Sequence, residues 1–307
     1  MNCRLRPSVI LAVLLAFMPC FSLAQHSAKP PGEDVLRVRN GVAAMGKNWS
    51  PEVLAGTAEL YTFLLRQRPT AGIRQISNIR YGAHAQQTLD LFVPDQGFDE
   101  PGPVIVFLHG GASTGGDRVL QGTDGLLYSN VARALARAGG IGINASYRVG
   151  AKWPTGPEDV RRIIEWTRMN AARHGGDPES IIVLGHGEGA VNLAGYLFHQ
   201  PSQPKDGPGI AGAVLSSGTF AADQRPLNLI EGYKGRRVPL LLWSAELDPV
   251  EAGMTDLRDR LCNHYGGCPD FALLQGHNHA SAVMSFDSAD MSAMNSLIRF
   301  YHSVVRK

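Results

Sequence analysis

The chain has 307 residues, with 29 Lys and Arg against 27 Asp and Glu for a formal charge of +2. The basic residues are scattered, so there is no electrostatic footprint for nucleic acid and no nucleic-acid partner is expected. The length suits one α/β domain with helices on both faces of a sheet.

Arg4 and Arg6, an apolar run from Val9 to Phe17, and Ser22 and Ala24 ahead of a cut before Gln25 read as a secretory signal peptide over residues 1–24. The run is too short to span a bilayer. Phe17-Met18-Pro19-Cys20 lacks the small residues expected before a lipidated cysteine. The chain is therefore expected to be exported to the periplasm or medium, with no stable membrane insertion after cleavage. Residues 25–45 lack periodicity and are expected to form a flexible leader, with a single domain over 46–307.

Ser50-Pro51 caps a helix to about Leu65, expected to pack as core, or as a cap beside a site. From Ile79 the pattern alternates. "QTLDLFV" reads as a strand by its period of two, and "PVIVFLH" as a strand buried on both faces. A helix near Leu126 to Arg137, the strand "GIGINASY", a helix near Pro157 to Ala172 and the strand "SIIVLG" follow. Next come a helix to about His199, the strands "IAGAVLSSG" and "VPLLLWSAELDP", a helix near Glu251 to His264, the strand "FALLQG" and a closing helix from about Ser288. This alternation predicts an α/β fold with a mostly parallel sheet covered on both faces.

Signal cleavage removes Cys3 and Cys20 and leaves Cys262 and Cys268 in "LCNHYGGCPD". An exported pair favours a disulfide. The alternatives are two free thiols, or a metal site with His264, although two sulfurs and one imidazole are an incomplete ligand set.

In an open parallel sheet the working surface lies beyond the carboxyl ends of the strands. The segments His109–Ser113, Gly185–Gly189, Ser216–Gly218, Asp248 and His277–Ser281 all fall there. "IIVLGHGEGAVNLAGYL" runs a strand through a glycine turn into a helix, in the manner of a GxSxG nucleophile elbow. Gly185, His186, Gly187, Glu188 and Gly189 form the turn, and Gly187 stands where the serine would be.

Several motifs in order resemble the α/β-hydrolase carboxylesterases: "VFLHGGAST", "NASYR", "KWPTGPEDV", "GGDPESIIVLGHGEGA", "AELDP" and "GHNHAS", together spanning Ile79 to the C-terminus. Small bacterial esterases and kynurenine-formamidase-like hydrolases are the nearest in pattern. The resemblance implies an α/β-hydrolase fold and the chain order nucleophile, acid, histidine, here the Gly187 position, Asp248 and His279. It also implies an oxyanion hole from Gly110, Gly111 and the backbone N–H of Glu188. Glu246 is the alternative acid and His277 the alternative base. No cofactor and no metal are implied. The expected partner is a small carboxylic ester of short to medium acyl length, with aryl amides as a lesser option.

Losing the nucleophile of a serine hydrolase costs on the order of 10⁶ in turnover, so the chain is expected to be inactive or strongly impaired through an acyl-enzyme. Ser113, Ser217 and Ser281 are displaced-serine alternatives. Glu188, at a helix N-terminus, is expected to cap or pair at the surface rather than activate water. Three further readings remain: slow hydrolysis by water activated on His279, a non-catalytic binding protein, and a metal hydrolase built on His277, His279 and Asp248. The last is disfavoured because alternate side chains of an extended segment point to opposite sides.

Overall fold

Side chains along the central strands divide strictly by parity. Val104, Val106 and Leu108 enter one core while Ile105 and Phe107 enter the other; Ile181 and Val183 part from Ile182 and Leu184 in the same way. Successive residues of a strand face opposite sides, so a run that is apolar at every position requires cover on both faces. The computed structural model describes residues 32–305 apart from Thr70, 112–115 and 221–224, and the expected signal peptide lies outside the described residues.

In chain order the elements are α1 (Glu33–Ala44), α2 (Pro51–Arg66), β1 (Ile73–Arg80), β2 (Thr88–Pro94), β3 (Gly102–Leu108), α3 (Ser129–Arg137), β4 (Ile141–Ala145), α4 (Thr155–Asn170), β5 (Gly176–His186), α5 (Glu188–Phe198), β6 (Gly212–Ser216), β7 (Leu240–Leu247), α6 (Glu251–Tyr265), β8 (Asp270–Asn278), α7 (Ser281–Met284) and α8 (Ser292–Val305). The strands form one sheet in the order β1-β2-β4-β3-β5-β6-β7-β8. The β1–β2 and β2–β4 pairs at one edge are antiparallel, and the remaining neighbouring pairs are parallel. Residues of α4, α5 and α6 fill one core, and residues of α3 and α8 fill the other. This is the α/β-hydrolase arrangement that the alternation and motifs predict.

Two expectations are corrected. Within the stretch 25–45 expected as a leader, Glu33–Ala44 is a helix, with Val35, Val38 and Val42 buried against Tyr61, Leu64 and Leu65 of α2. Three valines among charged residues are a thin stripe, and twelve residues seldom hold a helix alone; packing on α2 supplies the stability. The sheet also has a strand, Ile73–Arg80, ahead of the first expected one, "QTLDLFV". β1 is an edge strand whose polar residues, Arg74, Gln75 and Ser77, face solvent, so burial leaves no alternation to read. The Ser50 cap is as expected: its Oγ accepts from the Val53 N–H at 3.3 Å, with Pro51 opening the helix.

Candidate active site

β5 runs straight into α5 through Gly187, whose φ of 54° and ψ of −118° lie in a region that side chains with a Cβ rarely adopt. The turn is imposed by its neighbours. A Cβ on Gly185 would meet the Gly189 carbonyl oxygen at 2.5 Å, and one on Gly189 would strike the Leu108 and His109 carbonyls of β3. Only glycine lets α5 come this close to the sheet. The Gly187 N–H donates to the Ser216 carbonyl at 2.9 Å, which pins the turn to β6. Gly187 itself is different, because a Cβ there would sit in open contact, 3.5 Å from Gly110 Cα and 3.6 Å from His279 Nε2.

His279 follows β8. Its Nδ1 lies 3.2 Å from both carboxylate oxygens of Asp248, which follows β7. A carboxylate only accepts, so the proton rests on Nδ1 and the lone pair on Nε2 faces the Gly187 turn. Asp248 is buried. Burial opposes its charge, but the hydrogen bond from His279, the positive charge that ring carries once protonated, the neighbouring Ser217 hydroxyl and the Val250 N–H outweigh it and hold the carboxyl below its ordinary value. The Val250 N–H donates to Asp248 Oδ1 at 3.1 Å.

Gly110 approaches the turn from β3. A Cβ on it would press on His186 at 3.2 Å, so a side chain there would hold the two backbones apart. The positive φ of Gly111, 94°, turns the chain away from the strand. Tyr147 stacks on His109 with ring centroids 4.7 Å apart, and its hydroxyl donates to the His109 carbonyl at 2.6 Å. His109 and His186 are buried. Burial pushes His109 down to about 4; burial and the charge of nearby His279 push His186 down to about 3. Both are neutral supports at neutral pH. Glu188 opens α5 half-buried, and burial raises its carboxyl above the ordinary range.

The rival assignments are placed elsewhere. His277 is fully buried and held by Ser281 at 3.0 Å and Ser292 at 2.7 Å. Glu246 is exposed and accepts from the Gly276 N–H at 2.8 Å. Ser281 is engaged by His277 and the Asn278 N–H. Ser217 is buried beside Asp248, and Ser113 lies outside the described residues. Among the described residues no three His, Cys, Asp or Glu side chains converge as metal ligands, so His277, His279 and Asp248 do not form a shared site. A cleft of about 620 Å³ opens at the other end of the sheet, between Tyr233, Arg237, Tyr265 and Asp270, away from this chemistry. The sulfurs of Cys262 and Cys268 are 2.11 Å apart.

Known proteins resemble this chain in sequence and in fold. Residues 89–200 match the BD-FAE family. Esterase LipC of Mycobacterium tuberculosis is 33% identical over 134 residues, covering 42% of this chain and 32% of LipC. Secreted lipase 5 of Gibberella zeae is 30% identical over 189 residues, covering 55% of this chain and 35% of the lipase. Among solved structures, esterase B of Lactobacillus rhamnosis superposes with a TM-score of 0.64 at 14% identity, over 88% of this chain and 96% of that one. The chain has the α/β-hydrolase fold and is similar to esterases and lipases over these stretches. Its matched part spans about a third of the length of these curated relatives.

The N-terminal helices also reach the site. Trp49, between α1 and α2, places its indole centroid 4.3 Å from the His279 ring, and His186 lies 5.0 Å away. Thr57 on α2 accepts from Asn278 Nδ2 at 2.8 Å. Arg39 on α1 grips Asp290 at 2.7 and 3.0 Å. Burial opposes the Asp290 charge, yet Arg39, His277 and Ser292 hold that carboxyl at about 2. Arg39, Trp49, Thr57 and Asp290 belong to none of the motifs. Trp49 stands alone before a helix cap, and no spacing in the sequence connects it to His279, 230 positions later.

Proposed function

We propose that this hydrolase is an exported carboxylic-ester-binding protein built on esterase machinery, with the nucleophile position occupied by Gly187 and acyl-enzyme turnover consequently switched off. The reading is carried by one observation: the Asp248–His279 pair is assembled and aimed, through Nε2, at the place where a serine side chain would stand. A bound ester would put its carbonyl oxygen toward the N–H groups of Gly110, Gly111 and Glu188, and its carbonyl carbon above Gly187. With no hydroxyl at 187, no covalent acyl intermediate forms. The oxyanion hole and binding alone retain about 10³ to 10⁴ over water in such enzymes.

A second reading follows from the open space in front of Nε2. There His279 takes a proton from a water, the resulting hydroxide adds to the ester carbon, and the tetrahedral intermediate expels the alcohol as His279 returns the proton. The substrate class is small carboxylic esters, with aryl amides the lesser option. Export is supported by the signal-like N-terminus and by the adjacent Cys262 and Cys268 sulfurs.

Hydrolysis of a short-chain p-nitrophenyl ester tests the reading. The Gly187→Ser protein is expected to turn over fast, and the parent slowly or not at all. A slow parent rate that vanishes in His279→Ala supports water attack. A restored serine that binds esters but hydrolyses none would overturn the esterase reading in favour of a purely binding protein.

A further inference from the structure

Trp49 touches the candidate base but has no part in the acid–base pair. Its indole is 39% exposed, an apolar surface open to solvent directly against the His279 imidazole. Leaving such a ring uncovered forgoes the stabilisation that burial would bring, and the ring is not loosely hung. Ahead of it, Lys47 pairs with Glu251 of α6 at 2.5 Å, just beyond Asp248. Behind it, Ser50 caps α2, and α2 is tied through Thr57 to Asn278, the neighbour of His279. The backbone N–H of Trp49 donates to Asn48 Oδ1 at 2.8 Å. The segment carrying Trp49 is thus tied to the start of α6, three residues past the acid, and through α2 to the loop carrying the base.

Chemistry decides which end of an ester meets this wall. The carbonyl oxygen turns toward the Gly110 and Glu188 side. Nε2 of His279 must hand a proton to the departing oxygen, so the alcohol portion lies along the imidazole. The substituent on that alcohol therefore passes the indole. We propose that Trp49 is a specificity-determining residue that forms the alcohol-side subsite and favours esters of planar aromatic alcohols. Flat rings stack on an indole in offset or tilted geometry with a gain beyond area burial, and saturated rings of the same size do not. The proposal rests on the ester-site reading above and deepens it.

The matched pair phenyl acetate and cyclohexyl acetate isolates the effect, because acyl group and ring size are held constant. In the chain with Gly187, binding is followed by calorimetry for the parent, Trp49→Ala and Trp49→Phe. Trp49→Ala is expected to weaken phenyl acetate about five- to tenfold and cyclohexyl acetate about twofold, and Trp49→Phe to keep most of the preference. In the Gly187→Ser background the ratio of kcat/KM between the two esters should fall by the same factor, carried by KM. A ratio unchanged in Trp49→Ala, or an equal loss for both esters, overturns the proposal. If Gly187→Ser hydrolyses neither ester, the catalytic reading fails while the binding ratio still decides the role of Trp49.

Discussion

The Gly187 turn and the His279 loop face each other across ordinary van der Waals distance, yet they are built in opposite ways. The turn is made by backbone. Gly185 and Gly189 leave no room for a Cβ, and the Ser216 carbonyl holds the Gly187 N–H, so its shape does not depend on which side chain sits at 187. The histidine loop is made by side chains, with Asp248 on Nδ1, Asn278 on Thr57, His277 on Ser281 and Ser292, and Asp290 on Arg39. A site of this kind can lose one chemical group without losing its geometry when the group sits on the backbone-built half.

The sharpest test of that contrast is Gly187→Ser. Because the turn is already shaped, serine should be accepted and raise kcat on p-nitrophenyl acetate by at least about 10³, with a ceiling near 10⁶, together with a burst of p-nitrophenol. A gain below tenfold would mean that the turn is not preformed. The same substitution places a Cβ at φ 54° and should lower unfolding free energy by about 1–3 kcal/mol, as measured in urea.

In the Gly187→Ser background the histidine half becomes testable. His279→Ala should return kcat to the parent level, and Asp248→Asn should lower it by about 10⁴. Glu246→Gln should leave it unchanged, since Glu246 faces the Gly276 N–H.

Arg39→Ala strikes the support of the side-chain half. It leaves Asp290 charged and buried without its bidentate partner, at an expected cost of about 2–4 kcal/mol. Thermal melts measure the loss, and a shift below about 1 kcal/mol would show that the N-terminal helices do not brace the loop.

A further effect is a pH slope. His109 and His186 fold neutral, with values of about 4 and 3 against an ordinary 6.5. The unfolded chain therefore binds more protons between those limits. Stability is fully present above pH 6.5 and falls as pH drops toward 3, by up to about 1.4 kcal/mol per pH unit for each histidine. His186→Asn should flatten the slope of Tm against pH; an unchanged slope would mean that His186 titrates normally.

Much of this architecture is local enough to be legible in the sequence. Strands buried on both faces are continuous β-branched runs, helix caps are short-range hydrogen bonds, and the order of elbow, acid and histidine needs only position along the chain. That is why the sheet, the Ser50 cap, the elbow and the residues Asp248 and His279 could be named from sequence. The family resemblance put Asp248 ahead of Glu246 and His279 ahead of His277; which of these side chains meet is a matter of contacts that positions along a chain do not reveal. The edge strand from Ile73 and the helix α1 stayed hidden because their stability comes from partners rather than from their own pattern. The sequence by itself determined the fold class and the absence of a hydroxyl at 187. Only the tertiary structure decided that Nε2 of His279 faces that place and that Trp49 lies against the imidazole, because both depend on contacts between segments far apart in the chain, which carry no periodic signal.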